Sequence, residues 1–390
     1  MPFRRWSPLL ALPLVLAALW LTQRDLIDLT VYRYGAERVL DGLDLYAPRE
    51  GLPFTYPPFA ALLMTPLALA SWELAVALLT ALSVAGLAVL VRRPSLLLLA
   101  GACALEPVWQ TLAFGQVNLI LAGLILFDLA ADRDRPWRGA LLGVAAGIKL
   151  TPVFFFGYLV VTRQWLALRN AVLATAGTVA VGFAVLPSMS WDYWTRVVSD
   201  AERIGGLAYS GNQSVMGVLF RLTGSEAAAR PLWLVLATGL GLLSLYVARR
   251  LHHEGDVLAA VCVTALGMLL ASPVSWSHHW VWAVPLTVVL WRRSRRWAVA
   301  WATLFVLAPH WWPPHTNDQE LQWHTWQVVA GNAYVIAAVL LLVGVRKLAR
   351  PASPPEHRGP ERDHERGADQ QLAPVPGPPG VTRPEDRLVR

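Results

Sequence analysis

The sequence predicts an all-α polytopic membrane protein, a bundle of about 10–12 transmembrane helices with one large outer loop near its start. Three observations predict it. The 390 residues are 55% hydrophobic and only 15% charged, where a soluble domain carries about 25% charge. Apolar runs near spanning length recur along the chain. Arginines gather at the ends of those runs instead of forming a stripe. The net charge of +7 therefore reads as membrane topology and excludes nucleic acid as a partner.

The spans fall at 8–22, 71–91, 95–110, 116–131, 139–150, 152–162, 170–187, 230–248, 256–272, 279–291, 297–309 and 326–345. The first follows Arg4 and Arg5 and resembles a signal peptide. No small-x-small cleavage site follows it, so it is expected to stay as an uncleaved span. With the N-terminus in the cytoplasm, the inner segments hold 18 Lys and Arg and the outer ones 8. Most of that excess lies in short loops, which places both termini in the cytoplasm of a cell (plasma) membrane protein. The outer loops are then 23–70, 188–229, 273–278 and 310–325.

Loop 23–70 holds a helical pattern (Val31, Tyr34, Gly35, Arg38, Val39) and then Tyr56-Pro57-Pro58. The prolines bar a helix through 54–58. Segment 59–70 is too short to span and reads as an interfacial or re-entrant helix. Residues 351–390, with nine prolines and charges of both signs, read as a disordered cytoplasmic tail. The membrane domain is thus 1–350. Cys103 and Cys262 lie in apolar runs and give no disulfide framework.

Polar residues that lipid does not require mark the candidate site. Asp28, at the end of the first span, is either a general base with a raised pKa or a solvated loop acid or helix N-cap, and Asp25 rivals it. Tyr32 shares its face if the stretch is helical. Asp44 sits in a turn-rich segment after Asp41-Gly42, and a turn role is its default. Tyr56 belongs to the Tyr-Pro-Pro turn. Gln116 and Asn118 cap a helix start or touch substrate; on a helix they diverge. Lys149 lies in an apolar segment just before Pro152, and a lysine there costs about 2.5–3.5 kcal/mol. It either faces a polar cavity or snorkels to the interface. His278 and His279 lie among tryptophans: imidazolium suits a phosphate and tryptophan faces suit sugars, unless the group is an interfacial aromatic belt. Asn212 and Gln213 in a polar outer loop either hydrogen-bond a polyhydroxylated acceptor or merely line the surface. His310, Trp311, Trp312, His315 and His324 form a less specific outer group. No Walker loop, dinucleotide fingerprint, His-Glu-x-x-His or CxxC pattern occurs. Soluble nucleotide donors, a metal and a cofactor are not expected.

Taken in order, Asp28-x-x-Val31-Tyr32, Gly42-x-x-Leu45-Tyr46, Phe54-x-Tyr56-Pro57-Pro58, Gly115-Gln116-x-Asn118, Lys149-x-x-Pro152, Gly211-Asn212-Gln213-Ser214 and Ser272-Pro273-x-Ser275-Trp276-x-His278-His279 resemble glycosyltransferase family 87, the DUF2029 proteins. The resemblance covers about residues 20–345. It implies a GT-C-type helical bundle with a catalytic first outer loop. It also implies transfer of a hexose, mannose in the relatives best known, from a polyprenyl-phosphate donor to a glycolipid or glycan acceptor on the extracytoplasmic face. The family's first-loop aspartate corresponds to Asp28. Such chemistry needs a base for the acceptor hydroxyl, positive charge near the phosphate and a groove open to lipid. Asp28 suits the first role; His278, His279 and Lys149 suit the second. Direct displacement inverts the anomeric centre, and one base suffices when phosphate is the leaving group. The competing expectation is a transporter or flippase of a lipid-linked sugar that uses Lys149 and its broken helix as an intramembrane site.

Overall fold

The structure is a computed structural model that describes residues 26–130, 135–200 and 205–348. The first expected span, Asp25 and the tail 351–390 lie outside the described residues. Among the described residues the regular structure is all helix, joined by turns and loops, apart from one isolated bridge between Asn212 and Trp276. It is an all-α polytopic membrane protein.

Three described helices have the length and apolarity to cross a bilayer: Trp72–Val91, Trp165–Val185 and Glu226–His253. Four shorter apolar helices, Pro58–Leu69, Asn118–Leu129, Thr151–Val161 and Val257–Ala271, pack among them. Two expected spans are broken. Segment 95–110 is a pair of helices, Leu96–Cys103 and Glu106–Phe114, bent by 83°, and 326–345 is a pair, Thr325–Gly331 and Ala333–Gly344, bent by 71°. Pro107 at the start of the second helix accounts for the first break, because it supplies no N–H to the turn before it. Segment 279–291 likewise begins as a 3-10 turn, Ser277–Trp282, before the helix Ala283–Arg293. Hydropathy measures how apolar a run is and cannot register such bends.

Close helix packing comes from small residues, since lipid offers no hydrophobic drive for helices to associate. Gly139, Gly143 and Gly147 form a ridge at four-residue spacing against Ala167, Ala171 and Thr178 of the Trp165–Val185 helix. A Cβ on any of the three would collide with that helix. Arg33 ties the helix Ile27–Leu40 to Pro58–Leu69. Its guanidinium donates to the carbonyls of Leu67 (2.7 Å) and Ala70 (2.9 Å), capping a C-terminus whose last turn holds Pro66. The helix expected over 59–70 runs Pro58–Leu69, with Pro57 at its N-cap and Pro58 in its first turn, where a proline costs no helical hydrogen bond.

Candidate active site

Several segments line one cavity of about 500 Å³, and four of them carry most of its polar groups. The helix Ile27–Leu40 supplies Asp28. Its N-cap is Leu26, which makes no side-chain cap, and Asp28 lies in the first turn. The Asp28 carboxylate therefore caps nothing. It lines the cavity and is hydrogen-bonded by the Gln116 side chain. Burial pushes its pKa from 3.8 up to about 6, while the Gln116 hydrogen bond and the charge of Lys149 limit the rise.

Tyr32, one turn on, is buried beneath Asp28. Its hydroxyl donates to Gln116 Oε1 at 2.9 Å and lies 3.1 Å from the Tyr56 hydroxyl. Tyr56 also reaches Gln116 Oε1, at 3.4 Å. Tyr46 holds the turn from below by donating to the Tyr56 carbonyl at 2.8 Å. Gln116 thus accepts from two tyrosines and turns its amide to Asp28.

Gly115 makes that placement possible. It ends the helix Glu106–Phe114 at φ 69°, the left-handed region, and a Cβ there would stand 2.9 Å from Leu29. The sharp turn sends Gln116 toward Asp28 and Asn118 toward the next segment. The two side chains diverge, as a helix start requires, yet each reaches a different part of one site.

Lys149 follows the helix Ala140–Ile148, in extended backbone before the 3-10 turn Thr151–Val153. Its ammonium donates to Asn118 Oδ1 at 3.1 Å, lies 3.0 Å from His279 Nε2 and sits 5.6 Å from the Tyr56 ring centre. It points into the cavity, so the chain break at Leu150–Pro152 serves to aim this side chain inward.

The fourth segment is the loop Ser272–Trp280. Asn118 Nδ2 (3.1 Å) and Thr111 Oγ1 (2.9 Å) both donate to the His278 carbonyl. The His278 ring packs edge-on against Phe114 and His279. Its Nε2 is buried with no hydrogen-bond partner among the described residues and belongs to a residue lining the cavity. Asp28, Tyr56, Gln116, Lys149, His278 and His279 thus line one space, with Tyr32 and Asn118 bracing them from behind.

Three expected site residues are not brought there. Asp44 is exposed, and its carboxylate accepts the Tyr46 backbone N–H at 2.9 Å in a local turn. Asn212 and Gln213 are fully buried and their polar atoms are used by the backbone. Asn212 Oδ1 accepts from the Ser275 N–H at 3.0 Å, and its amide meets the Leu207 and Pro273 carbonyls. Gln213 spans from the Ser210 carbonyl (2.8 Å) to that of Gly331 (2.7 Å). Both hold the histidine loop in place and present nothing to the cavity.

Two acids that organise the site went unread in the sequence. Glu106 has no solvent exposure. It accepts from Ser277 Oγ (2.7 Å), Trp311 Nε1 (3.1 Å) and Tyr334 OH (3.0 Å), with His310 Nε2 at 3.8 Å. It fixes the residue next to His278. Asp128 accepts the N–H groups of Gly139 (2.8 Å) and Leu142 (2.9 Å), stabilising the positive end of the helix that delivers Lys149. Each is an acid inside an apolar run, the same signal that marked Lys149. Among the described residues no three His, Cys, Asp or Glu side chains converge as a metal site.

The profile of glycosyltransferase family 87 matches residues 54–273. A polyprenol-phosphate-mannose-dependent alpha-(1-2)-phosphatidylinositol mannoside mannosyltransferase of Mycolicibacterium smegmatis is 36% identical, over 83% of this chain and 84% of its own. The protein of the same description from Mycobacterium tuberculosis is 34% identical, over 83% and 86%. A polyprenol-phosphate-mannose-dependent alpha-(1-2)-phosphatidylinositol pentamannoside mannosyltransferase of Mycolicibacterium smegmatis is 34% identical, over 74% and 76%. No solved structure matches. With more than half the chain under the family profile and relatives of this identity aligned along most of their length, the chain belongs to glycosyltransferase family 87.

Proposed function

We propose that the protein transfers mannose from a polyprenyl-phosphate donor to a mannosylated glycolipid of the phosphatidylinositol mannoside class, on the extracytoplasmic face and with inversion. The relatives' donor and acceptor support the substrate classes. The observation that carries the mechanism is the meeting of a carboxylate and a cation in one cavity: Asp28, with its pKa near 6, opposite the Lys149–His279 pair.

The chemistry follows from those groups. An acceptor hydroxyl attacks the anomeric carbon while Asp28 takes its proton, and the bond from that carbon to the phosphate oxygen breaks. Polyprenyl phosphate leaves with the electron pair. A pKa near 6 keeps Asp28 ionised at neutral pH yet basic enough to draw the proton as the C–O bond forms. The Lys149 ammonium and the His278 ring nitrogen stand where the charge on the leaving phosphate grows, inside a cavity that magnifies their effect. A β-linked donor gives an α-linked product.

The test is mannose transfer by the purified protein in nanodiscs, from polyprenyl-phosphate-mannose to a phosphatidylinositol mannoside acceptor. Asp28→Asn should retain the fold and lose on the order of 10³ in kcat. Equal turnover by variant and wild type would remove Asp28 as the base. Flipping of the donor by a protein that transfers no sugar would replace the enzyme with a transporter.

A further inference from the structure

Beyond the carboxylate and the cations, the same cavity has an aromatic wall that the displacement does not use. Tyr209, Trp276 and Trp311 all line it. The Tyr209 ring lies 6.0 Å from Trp276 and 5.7 Å from Trp311, inclined by 64° and 55°. Glycines flank these rings where side chains would crowd them. A Cβ at Gly211 would stand 2.9 Å from Tyr209 and 3.1 Å from Trp311, and one at Gly205 would stand 3.1 Å from Trp276. Gly206, also on the cavity wall, has no described atom within 4 Å of the Cβ position.

The wall is built to keep its shape. The Trp311 indole N–H is turned inward onto buried Glu106. Trp276 is strapped to the 211–213 loop by Ser277 N–H to the Gly211 carbonyl and Gln213 N–H to the Ser275 carbonyl, both at 2.8 Å. Arg221 gathers the Ala208, Tyr209 and Asn212 carbonyls from behind. An interfacial aromatic belt would look different, with large rings open to lipid and N–H groups turned toward headgroups. Trp165, Trp191 and Trp326, each 58% exposed or more, are of that kind. Trp276 and Trp311 are not: both are half-buried.

We propose that Tyr209, Trp276 and Trp311 form the platform on which a pyranose ring of the acceptor glycan stacks. The proposal rests on the transferase reading above. Pyranose rings present C–H faces that match aromatic faces, and polar edges that stay wet at a cavity mouth. Donor and acceptor both carry a sugar, and two features assign the wall to the acceptor. Among the described residues the cavity lining holds no Lys or Arg other than Lys149, and the imidazole packed on Tyr209 and Trp311, that of His315, is bonded to the Pro313 carbonyl at 2.8 Å, whereas Lys149 and His279 stand together elsewhere in the cavity. Tyr209 is also 43% exposed, so the wall opens outward, where a glycan headgroup arrives.

The experiment has two arms, both on the full chain in nanodiscs. Steady-state kinetics separate acceptor KM from donor KM for wild type, Tyr209→Ala, Trp276→Ala and Trp276→Phe. Calorimetric titration with soluble α-mannobiose measures sugar binding without turnover. Each alanine variant should raise acceptor KM about tenfold and weaken mannobiose binding in step, with donor KM changed less than twofold. Trp276→Phe, which keeps a ring, should recover most of the loss and guards against a variant that merely misfolds. Transfer with unchanged acceptor KM, or an equal rise in donor KM, would overturn the platform and leave the transferase standing. Mannobiose binding that depends on Trp276 in a protein that transfers no mannose would uphold the platform and overturn the transferase. No transfer and no mannobiose binding by wild type would overturn both.

Discussion

Asp28 and Glu106 are both carboxylates sunk in an apolar protein, and the structure treats them in opposite ways. Glu106 is sealed from solvent and receives three hydrogen bonds, from Ser277, Trp311 and Tyr334. Asp28 lines the cavity with the Gln116 amide as its side-chain hydrogen-bond partner. A carboxylate with its lone pairs committed to three donors is a fixed acceptor, and the loop around it takes its shape from that acceptor. A carboxylate with lone pairs facing an open cavity is free to take a proton. Burial alone therefore does not separate a base from a brace; the count of donors does.

The sharpest way to break this division is to neutralise each acid in turn. Asp28→Asn should cost on the order of 10³ in kcat. Glu106→Gln keeps an acceptor for Ser277 and Trp311 and can donate to the Tyr334 oxygen, so its kcat should stay within about tenfold of wild type. If Glu106→Gln, folded by thermal melting, fell as far as Asp28→Asn, the acid behind the histidine loop would be part of the chemistry.

Removing the carboxyl altogether reverses the ranking. Glu106→Leu leaves three donors without their acceptor, those of Ser277 and Tyr334 on buried residues, and should cost about 3 kcal/mol of stability, on the scale of about 1–3 kcal/mol for each unsatisfied buried group after relaxation. Thermal unfolding in detergent reads the loss. A melting point unchanged by Glu106→Leu would mean the network is ornamental.

The Asp28 pKa sharpens the comparison through pH. Its folded-state value, about 6, lies above the ordinary 3.8. Folding therefore favours the protonated form, and that contribution is full below pH 3.8 and lost as pH rises through 6. The ionised group then costs at most about 3 kcal/mol at neutral pH, taking about 1.4 kcal/mol per pH unit. Asp28→Asn should be no less stable than wild type at pH 4 and more stable at pH 7.5. The same titration should give kcat/KM an acid limb near pH 6. Lys149→Met removes a charge that holds the pKa down, so it should move the limb to higher pH. A limb that stays in place would separate Asp28 from Lys149.

The legibility of the two acids follows the same line. Asp28 stood out because it borders an apolar span and begins an ordered set of motifs, and Lys149 because a lysine in an apolar run needs a reason. The helical class was equally plain from composition. Glu106 carried the same signal as Lys149, but it lay inside a run read as one straight span, and the 83° bend beside it is invisible to hydropathy. Asn212 and Gln213 were visible as polar residues, yet polarity does not say whether a side chain faces a ligand or its own backbone. Only the Ser275 N–H and the Gly331 carbonyl, distant in sequence, decide that.

The smallest expected effect belongs to Asp44, another acid of the first loop. Asp44 is exposed, and its carboxylate serves the Tyr46 N–H two residues on, while its carbonyl takes the Arg38 side chain at 2.9 Å. A side-chain bond of this kind at the surface contributes about 1 kcal/mol or less, because water replaces it. Asp44→Ala should therefore lower the melting point slightly and leave kcat and both KM values within twofold. Any larger loss would have to reach the cavity through Tyr46, whose hydroxyl supports the Tyr56 carbonyl behind Gln116. Tyr46→Phe distinguishes the two cases. It removes that hydroxyl and keeps the ring, so a variant as impaired as Asp44→Ala would make the turn part of the scaffold that aims Gln116 at Asp28. An active Tyr46→Phe beside an impaired Asp44→Ala would give Asp44 a role of its own, and the first loop would then hold two functional acids instead of one.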